Sequence, residues 1–376
     1  MFSHAEHSSP NLTRTSPLLN KAVRSFGLVH HVEGAPVSRS VDDLVRLDRL
    51  GPALAHATGD DAWLQATAEL ISGGKSNLTF TLTSAAGEFI LRRPPTGDLL
   101  PSAHDMGREA RVQSALAGTD VPVARIVLHD EGELIGIGCY VMEKVPGHVI
   151  RGVLPAGFAA THPEREQMAF AFVDTLAALH AVDHEAVGLG DYGRPAGFME
   201  RQVRRWAGQW EATRTHDVPE IDELGRRLAK QVPDQLRSTI VHGDFRLDNV
   251  VHDAADPSRI NAVLDWELST LGDPLTDLGL LMLFWRSSTE PELSLIPGIT
   301  HLPGFPDRDA LLERYAASSG ADLSDMGYYQ AFAHFKFAVI AQGVAARSAA
   351  GDMGGQDFGN LDDQILGLAQ AGLHHI

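Results

Sequence analysis

The sequence predicts an α+β chain of two lobes, with an antiparallel sheet lobe first and a mainly helical lobe after it. Three observations carry this expectation. Short apolar or alternating runs separated by Gly-rich turns fall between residues 63 and 144, and strands gathered ahead of helices mark this class. From residue 164 to 347 apolar side chains recur every three or four positions, the spacing of core-facing helices. A polar stretch, residues 239–277, lies inside the helical part and reads as strand, loop and hairpin.

Composition bounds the functions open to the chain. Its 376 residues are enough for a sizeable core, with 44% hydrophobic and 21% charged residues as in ordinary globular proteins. A formal charge of −18 disfavours nucleic acid, which calls for a basic footprint, and suits either a cationic ligand or solubility alone. The single cysteine, Cys139, sits in an apolar run, so the expectation is a buried thiol and a reducing cytoplasm. Residues 1–36 are rich in Ser, His and Pro without an apolar core and read as a loose arm, not a secretory signal. The longest apolar run, residues 278–285, is far below the ~20 residues that cross a membrane. Residues 37–145 and 146–376 are the two expected lobes, and oligomeric state is left open.

Residues 238–241 form a short β-branched run that His242-Gly243 ends, which puts Asp244 on a loop leaving a strand. Val250-Val251, a turn over 254–258 and the run 260–264 read as a hairpin returning Asp265 toward Asn249. An Asp beside a substrate hydroxyl and two further oxygen ligands for magnesium are what phosphoryl transfer asks of a protein. Asp244 suits the first task, Asn249 and Asp265 the second. A metallohydrolase is disfavoured, since His242 has no second His nearby at ligand spacing.

The spacing His242-Gly243-Asp244-x-x-x-x-Asn249 resembles the kinase catalytic loop with Gly for Arg, and Asp265-Trp266-Glu267 stands where D-F-G is expected. With Gly272-Asp273-Pro274 and Asp277 following, the pattern resembles the aminoglycoside phosphotransferase and choline kinase-like family. The wording SNLTFTL, FILRRPP, LLPSAHDMGREARV and GFMERQVRRWAGQWEATR is similar, more narrowly, to kinase-like domains fused to some acyl-CoA dehydrogenases. The resemblance implies a protein-kinase-like fold, ATP and Mg2+ as cofactors, and a small-molecule hydroxyl as acceptor. Asp273 and Asp277 are then expected to brace the catalytic loop.

Taken in order, residues 41–57 predict one helix with Leu44, Leu47, Leu50 and Leu54 on a face, followed by a strand over 63–71. Gly73, Gly74, Ser76 and Asn77 make a turn whose amides could close on a phosphate before the strand at 78–83. On the strand at 89–93 the resemblance implies a phosphate-binding cation, usually Lys. Here it is Arg92 or Arg93, and the alternation of the strand favours Arg92, on the face of Ile90. A helix over 103–117 offers Glu109 as its implied ion-pair partner, with Arg108 and Arg111 as rival partners. Strands at 123–129 and 138–144 complete five, and the connector at Glu143 and Val145 is implied to meet the adenine edge.

In the second lobe, residues 164–181 predict a scaffold helix on which His180 suits the C-terminal end of the dipole. Residues 197–214 carry Arg201, Arg204 and Arg205 beside Trp206 and Trp210, either a cationic face for an anionic substrate or an amphipathic helix with its Trp inward. Further helices are expected at 274–285, 307–318 and 325–347, and residues 351–359 as a Gly-rich turn. The function that follows is an ATP-dependent phosphotransferase acting on an alcohol, with a hydroxyacyl-CoA as first acceptor and an aminoglycoside or amino sugar as second. A catalytically silent nucleotide-binding regulator is the reading from another class, motivated by Arg in place of Lys.

Overall fold

The computed structural model describes residues 40–71, 77–95, 105–291, 293–295, 298–351 and 358–376. The chain enters through α1 (Val41–Val45) and α2 (Leu47–Thr58), so the single helix expected there is two. Ser40 and Asp43 form a reciprocal capping box on α1, and Arg46 ends it in the left-handed region at φ 50°. From that bend the Arg46 guanidinium reaches both oxygens of Asp48, in the first turn of α2, at 3.0 Å. Leu44, Leu50 and Leu54 still share one core.

The strand expected over 63–71 is also shorter than its pattern. Asp60 accepts from the Ala62 amide and starts a 3-10 turn, Asp61–Gln65, that stacks Trp63 on Phe89 with ring centroids 4.2 Å apart. Only then does β1 (Thr67–Leu70) begin. It joins β2 (Leu78–Ser84), β3 (Gly87–Arg93), β4 (Ile126–Asp130) and β5 (Cys139–Glu143) in an antiparallel sheet of order β1-β2-β3-β5-β4. Alternation divides its side chains. Phe80, Leu82, Leu91, Cys139 and Val141 pack with Trp63 and α2, while Ile90, Tyr140 and Met142 face Met106 and Ala110 of α3 (Met106–Leu116). The same alternation sends Arg92 toward α3, whereas Arg93 donates to the carbonyl of Leu44 at 2.9 Å.

After β5 the chain crosses to the helical lobe. His148 exchanges two backbone hydrogen bonds with His252, at 2.8 and 2.9 Å, which ties the connector to the hairpin that follows Asn249. Gly147, at φ 143°, permits this approach, since a Cβ there would stand 2.1 Å from the His252 carbonyl oxygen. The lobe is built around α4 (His162–Ala181), the wholly buried α7 (Leu275–Phe284) and the long α9 (Met326–Ala349). Around them lie α5 (Phe198–Thr213), α6 (Pro219–Lys230), α8 (Arg308–Ser319) and α10 (Leu361–His374). All five helices expected in this lobe are present near their expected bounds; α6 and α10 have no counterpart in the sequence expectations. Two short ladders, β6 (Thr239–Val241) with β9 (Thr270–Gly272) and β7 (Val250–His252) with β8 (Ile260–Val263), carry the polar stretch between the lobes. No helix among the described residues is long and apolar enough to cross a membrane.

Candidate active site

Strand β6 delivers His242, Gly243 and Asp244 into the space beneath the sheet. Gly243 holds φ 84°, and a Cβ on it would lie 2.9 Å from both Cβ and the carbonyl oxygen of Leu268, so the turn requires glycine on two counts. Asp277, at the start of α7, accepts from the backbone amides of His242 at 2.6 Å and Gly243 at 2.8 Å. Burial opposes its charge, but His180 and His242, the latter also through its amide, hold its carboxyl below the ordinary range. This is the expected brace. Asp273 is not a second one: its hydrogen bonds come from the Leu275 amide at 3.0 Å and the Tyr329 hydroxyl at 2.7 Å, which cap α7 instead.

His180, expected to serve the C-terminal end of the helix dipole, has other partners. It is buried, with Nδ1 2.7 Å from the Tyr315 hydroxyl and Nε2 3.3 Å from Asp277 Oδ2, because α8 covers the last turn of α4. The loop is therefore held through a chain of buried polar groups, Tyr315 to His180 to Asp277 to the two amides. Across the loop His242 Nε2 lies 2.8 Å from the Leu264 carbonyl oxygen.

The hairpin brings the expected oxygen ligands together. Asn249 donates its side-chain amide to the backbone oxygen of Asp244 at 2.8 Å and to Asp244 Oδ2 at 3.0 Å, which turns its own side-chain oxygen away from them. The Leu264 amide donates to the Asn249 carbonyl at 2.8 Å, so Asp265 follows immediately beside Asn249. Asp265 sits at φ 63°, ψ 63°, a left-handed geometry unusual for a residue with a side chain. Burial pushes the Asp244 carboxyl up to about 6; Arg246 opposes the rise, while Asp248 and Asp265 add to it. An acid in this range is suited to taking a proton near neutral pH.

From the sheet lobe, Arg92 reaches this group. Its Nη2 is 3.1 Å from Asp265 Oδ1 and 3.5 Å from Glu109 Oε2. Burial disfavours the charged guanidinium, but Glu109, Tyr140 and Asp265 outweigh it and push its pKa above the usual range. Glu109 is buried and also accepts from the Tyr140 hydroxyl at 3.0 Å and from Asn77 at 3.1 Å. The rival partners look elsewhere: Arg108 stacks on Tyr192 and donates to its carbonyl at 2.8 Å, and Arg111 pairs with Asp191.

Gly73, Gly74 and Ser76 lie outside the described residues. Asn77, expected at the nucleotide, directs its amide nitrogen to Glu109 and, at 3.2 Å, to Glu267, which links the two lobes. Glu143 ends β5 with its amide on the Arg125 carbonyl at 3.0 Å, and Val145 packs on the α3 side of the sheet. On α5, Trp206 and Trp210 are buried, the inward arrangement of the amphipathic alternative. Arg204 is exposed and Arg201 folds back on the carbonyls of Arg194 and Ala196, while Arg205 turns inward.

Two cations of the site had no role in the sequence expectations. Arg246, two residues after Asp244, places Nε 2.9 Å from Asp244 Oδ1 and Nη1 3.3 Å from Asp248. The spacing D-x-R-x-D was the available signal. Lys336 of α9 is buried and donates to the Gly243 carbonyl at 3.3 Å. Its signal was a lone charge inside the apolar run 331–341.

Among the described residues no group of three or more His, Cys, Asp or Glu could hold a metal by itself. The donor set nonetheless fits magnesium. The Asn249 side-chain oxygen and an Asp265 carboxylate oxygen are hard donors, and a cation held by one or two protein oxygens completes its shell with substrate phosphates and water.

A profile of the phosphotransferase enzyme family matches residues 67–324. The human acyl-CoA dehydrogenase family member 11 is 36% identical over 324 residues, an alignment that takes in 85% of this chain and 41% of that protein. The chain thus spans about two fifths of the length of such curated relatives. A solved candidate aminoglycoside phosphotransferase from Ralstonia eutropha is 34% identical with a TM-score of 0.72, covering 82% of this chain and 92% of its own. The fold also matches, at 15% identity and a TM-score of 0.55 over 87% and 98% of the chains, an aminoglycoside phosphotransferase solved with ADP and hygromycin B.

Proposed function

The chain belongs to the phosphotransferase enzyme family, and on that footing we propose that it is an ATP- and magnesium-dependent kinase that phosphorylates a hydroxyl of a small organic acceptor. The observation that carries this reading is the Asn249 amide fixed on Asp244, with Asp265 delivered beside it and Arg92 reaching Asp265 from the opposite lobe. In this mechanism Asp244 orients the acceptor hydroxyl and takes its proton as the oxygen bonds to the γ-phosphorus. The bond from that phosphorus to the bridging oxygen breaks, and ADP leaves. Asn249 and Asp265 supply the protein oxygens for magnesium, which when bound neutralises charge on the β and γ phosphates. Arg92 grips the phosphates, Glu109 keeps Arg92 aimed, and Asp277 fixes the loop.

The acceptor we favour is a hydroxyacyl thioester of coenzyme A, supported by the likeness to an acyl-CoA dehydrogenase family member. An aminoglycoside or amino sugar is the second reading; the cations Arg246 and Lys336 beside Asp244 weigh against a cationic acceptor. A silent regulator is the third, since Arg92 stands where Lys is usual. Asp244→Ala should lower ADP formation with acceptor by about 10³-fold, with an unchanged circular dichroism spectrum. Undiminished turnover would discard the kinase reading, and calorimetric binding of ATP without turnover in the wild type would favour the regulator.

A further inference from the structure

We infer that Arg205 and Lys336 form a seat for an anionic group of the acceptor, immediately beside the phosphoryl-transfer loop. The inference rests on the kinase reading above and narrows its substrate class. Lys336 projects from the middle of α9 among Phe335, Phe337 and Ala338, all buried, and is itself only 8% exposed. Its ammonium reaches the carbonyl of Gly243, one residue before Asp244, and lies 5.7 Å from the centroid of the Trp206 ring. Arg205 stands on the same ring from α5, its guanidinium carbon 5.6 Å from the centroid. Two cations from two helices thus share one indole next to the reacting centre.

The two cations are unequally provided for: Asp244 and Asp277 attract Lys336, whereas Arg205 is set mainly by its burial. The Nε of Arg205 is buried and has no hydrogen-bond partner among the described residues. Burial pushes the Arg205 guanidinium below its usual range and the Lys336 ammonium down to about 8, the latter helped by repulsion from Arg205. Asp244, which attracts Lys336, already accepts from Asn249 and faces Arg246. Desolvated like charges favour an oxyanion between them, and a carboxylate or phosphate would accept from both. Arg201 and Arg204 belong outside this seat, one folded onto carbonyls and the other in solvent.

An oxyanion on the acceptor has two sources, the carboxylate of a free hydroxy acid or the phosphates of a coenzyme A thioester. Three probes separate them: 3-hydroxybutyrate, 3-hydroxybutyryl-CoA, and the uncharged N-acetylcysteamine thioester of the same acid. Their dissociation constants are to be measured by calorimetry on the full chain, in wild type, Lys336→Met and Arg205→Gln. Expected is an anionic probe bound at least about tenfold tighter than the neutral thioester, with that preference lost in both variants. The anionic probe that shows the preference names the source. Equal affinity for charged and neutral probes in the wild type, or a preference that survives both substitutions, would overturn the seat. The kinase reading fails on a different readout, ADP formation in Asp244→Ala, so the two failures are distinguishable.

Discussion

The catalytic hairpin and the arginine-bearing helix α5 are the two most polar stretches singled out in the sequence, and they meet opposite fates. In the hairpin Asp244 and Asn249 are buried and each is fixed by named partners. On α5 the three arginines divide by face: one in solvent, one capping the preceding loop, one inward. Spacing within a loop pinned by glycine and braced by Asp277 specifies where each atom goes. A cluster of one residue type on a helix specifies only that some of it will face water.

The sharpest way to break this contrast is to sever the hairpin from the sheet lobe. Arg92→Met should lower kcat/KM for ATP about a hundredfold, and Arg92→Lys should recover part of it; steady-state kinetics with varied ATP checks both. If the methionine variant matched wild type, the bridge to Asp265 would be packing and not function.

A second, smaller effect concerns the dry interior of the hairpin. His252 is fully buried, neither ring nitrogen has a hydrogen-bond partner among the described residues, and burial with His148 nearby pushes it down from 6.5 to about 4. The unfolded chain therefore binds a proton that the folded chain refuses. The contribution is complete above about pH 6.5 and is lost as pH falls toward 4, on the order of 2 to 3 kcal/mol. Urea melts across that window should show a shallower slope for His252→Leu than for wild type. Burial pushes His334 down to about 4 as well, so a residual slope remains. Smallest of all, Arg204→Gln should change kcat/KM for the acceptor less than about twofold, and a larger loss would return this exposed arginine to the binding surface.

Much of this was legible in the chain. The five strands, the helix carrying Glu109 and the hairpin follow from period-two and period-3.6 patterns, and alternation alone separates Arg92 from Arg93. What escaped the reading depended on single residues with long-range partners. Arg46 breaks a helix whose apolar stripe continues unbroken, and Asp60 converts the head of a strand into a turn. His180 is buried by α8, more than a hundred residues further along the chain, which no local pattern reveals. Helix α6 was in fact legible, since Ile221, Leu224 and Leu228 recur at helical spacing behind Pro219; both it and α10 pack against α9. Lys336 was visible as a charge in an apolar run, but its destination is set by two other helices.

The bridge from Arg92 to Asp265 and Glu109 also bears on what the cleft admits. The cation expected to greet phosphates carries its own counter-charge from both lobes, so it presents no bare positive field to passing sulfate or orthophosphate. Asp265 Oδ1 cannot serve the guanidinium and a metal equally well. On the kinase reading proposed above, entry would be an exchange of partners, favouring a visitor that brings phosphate to the arginine and a divalent ion to the aspartate together over one that brings a single partner.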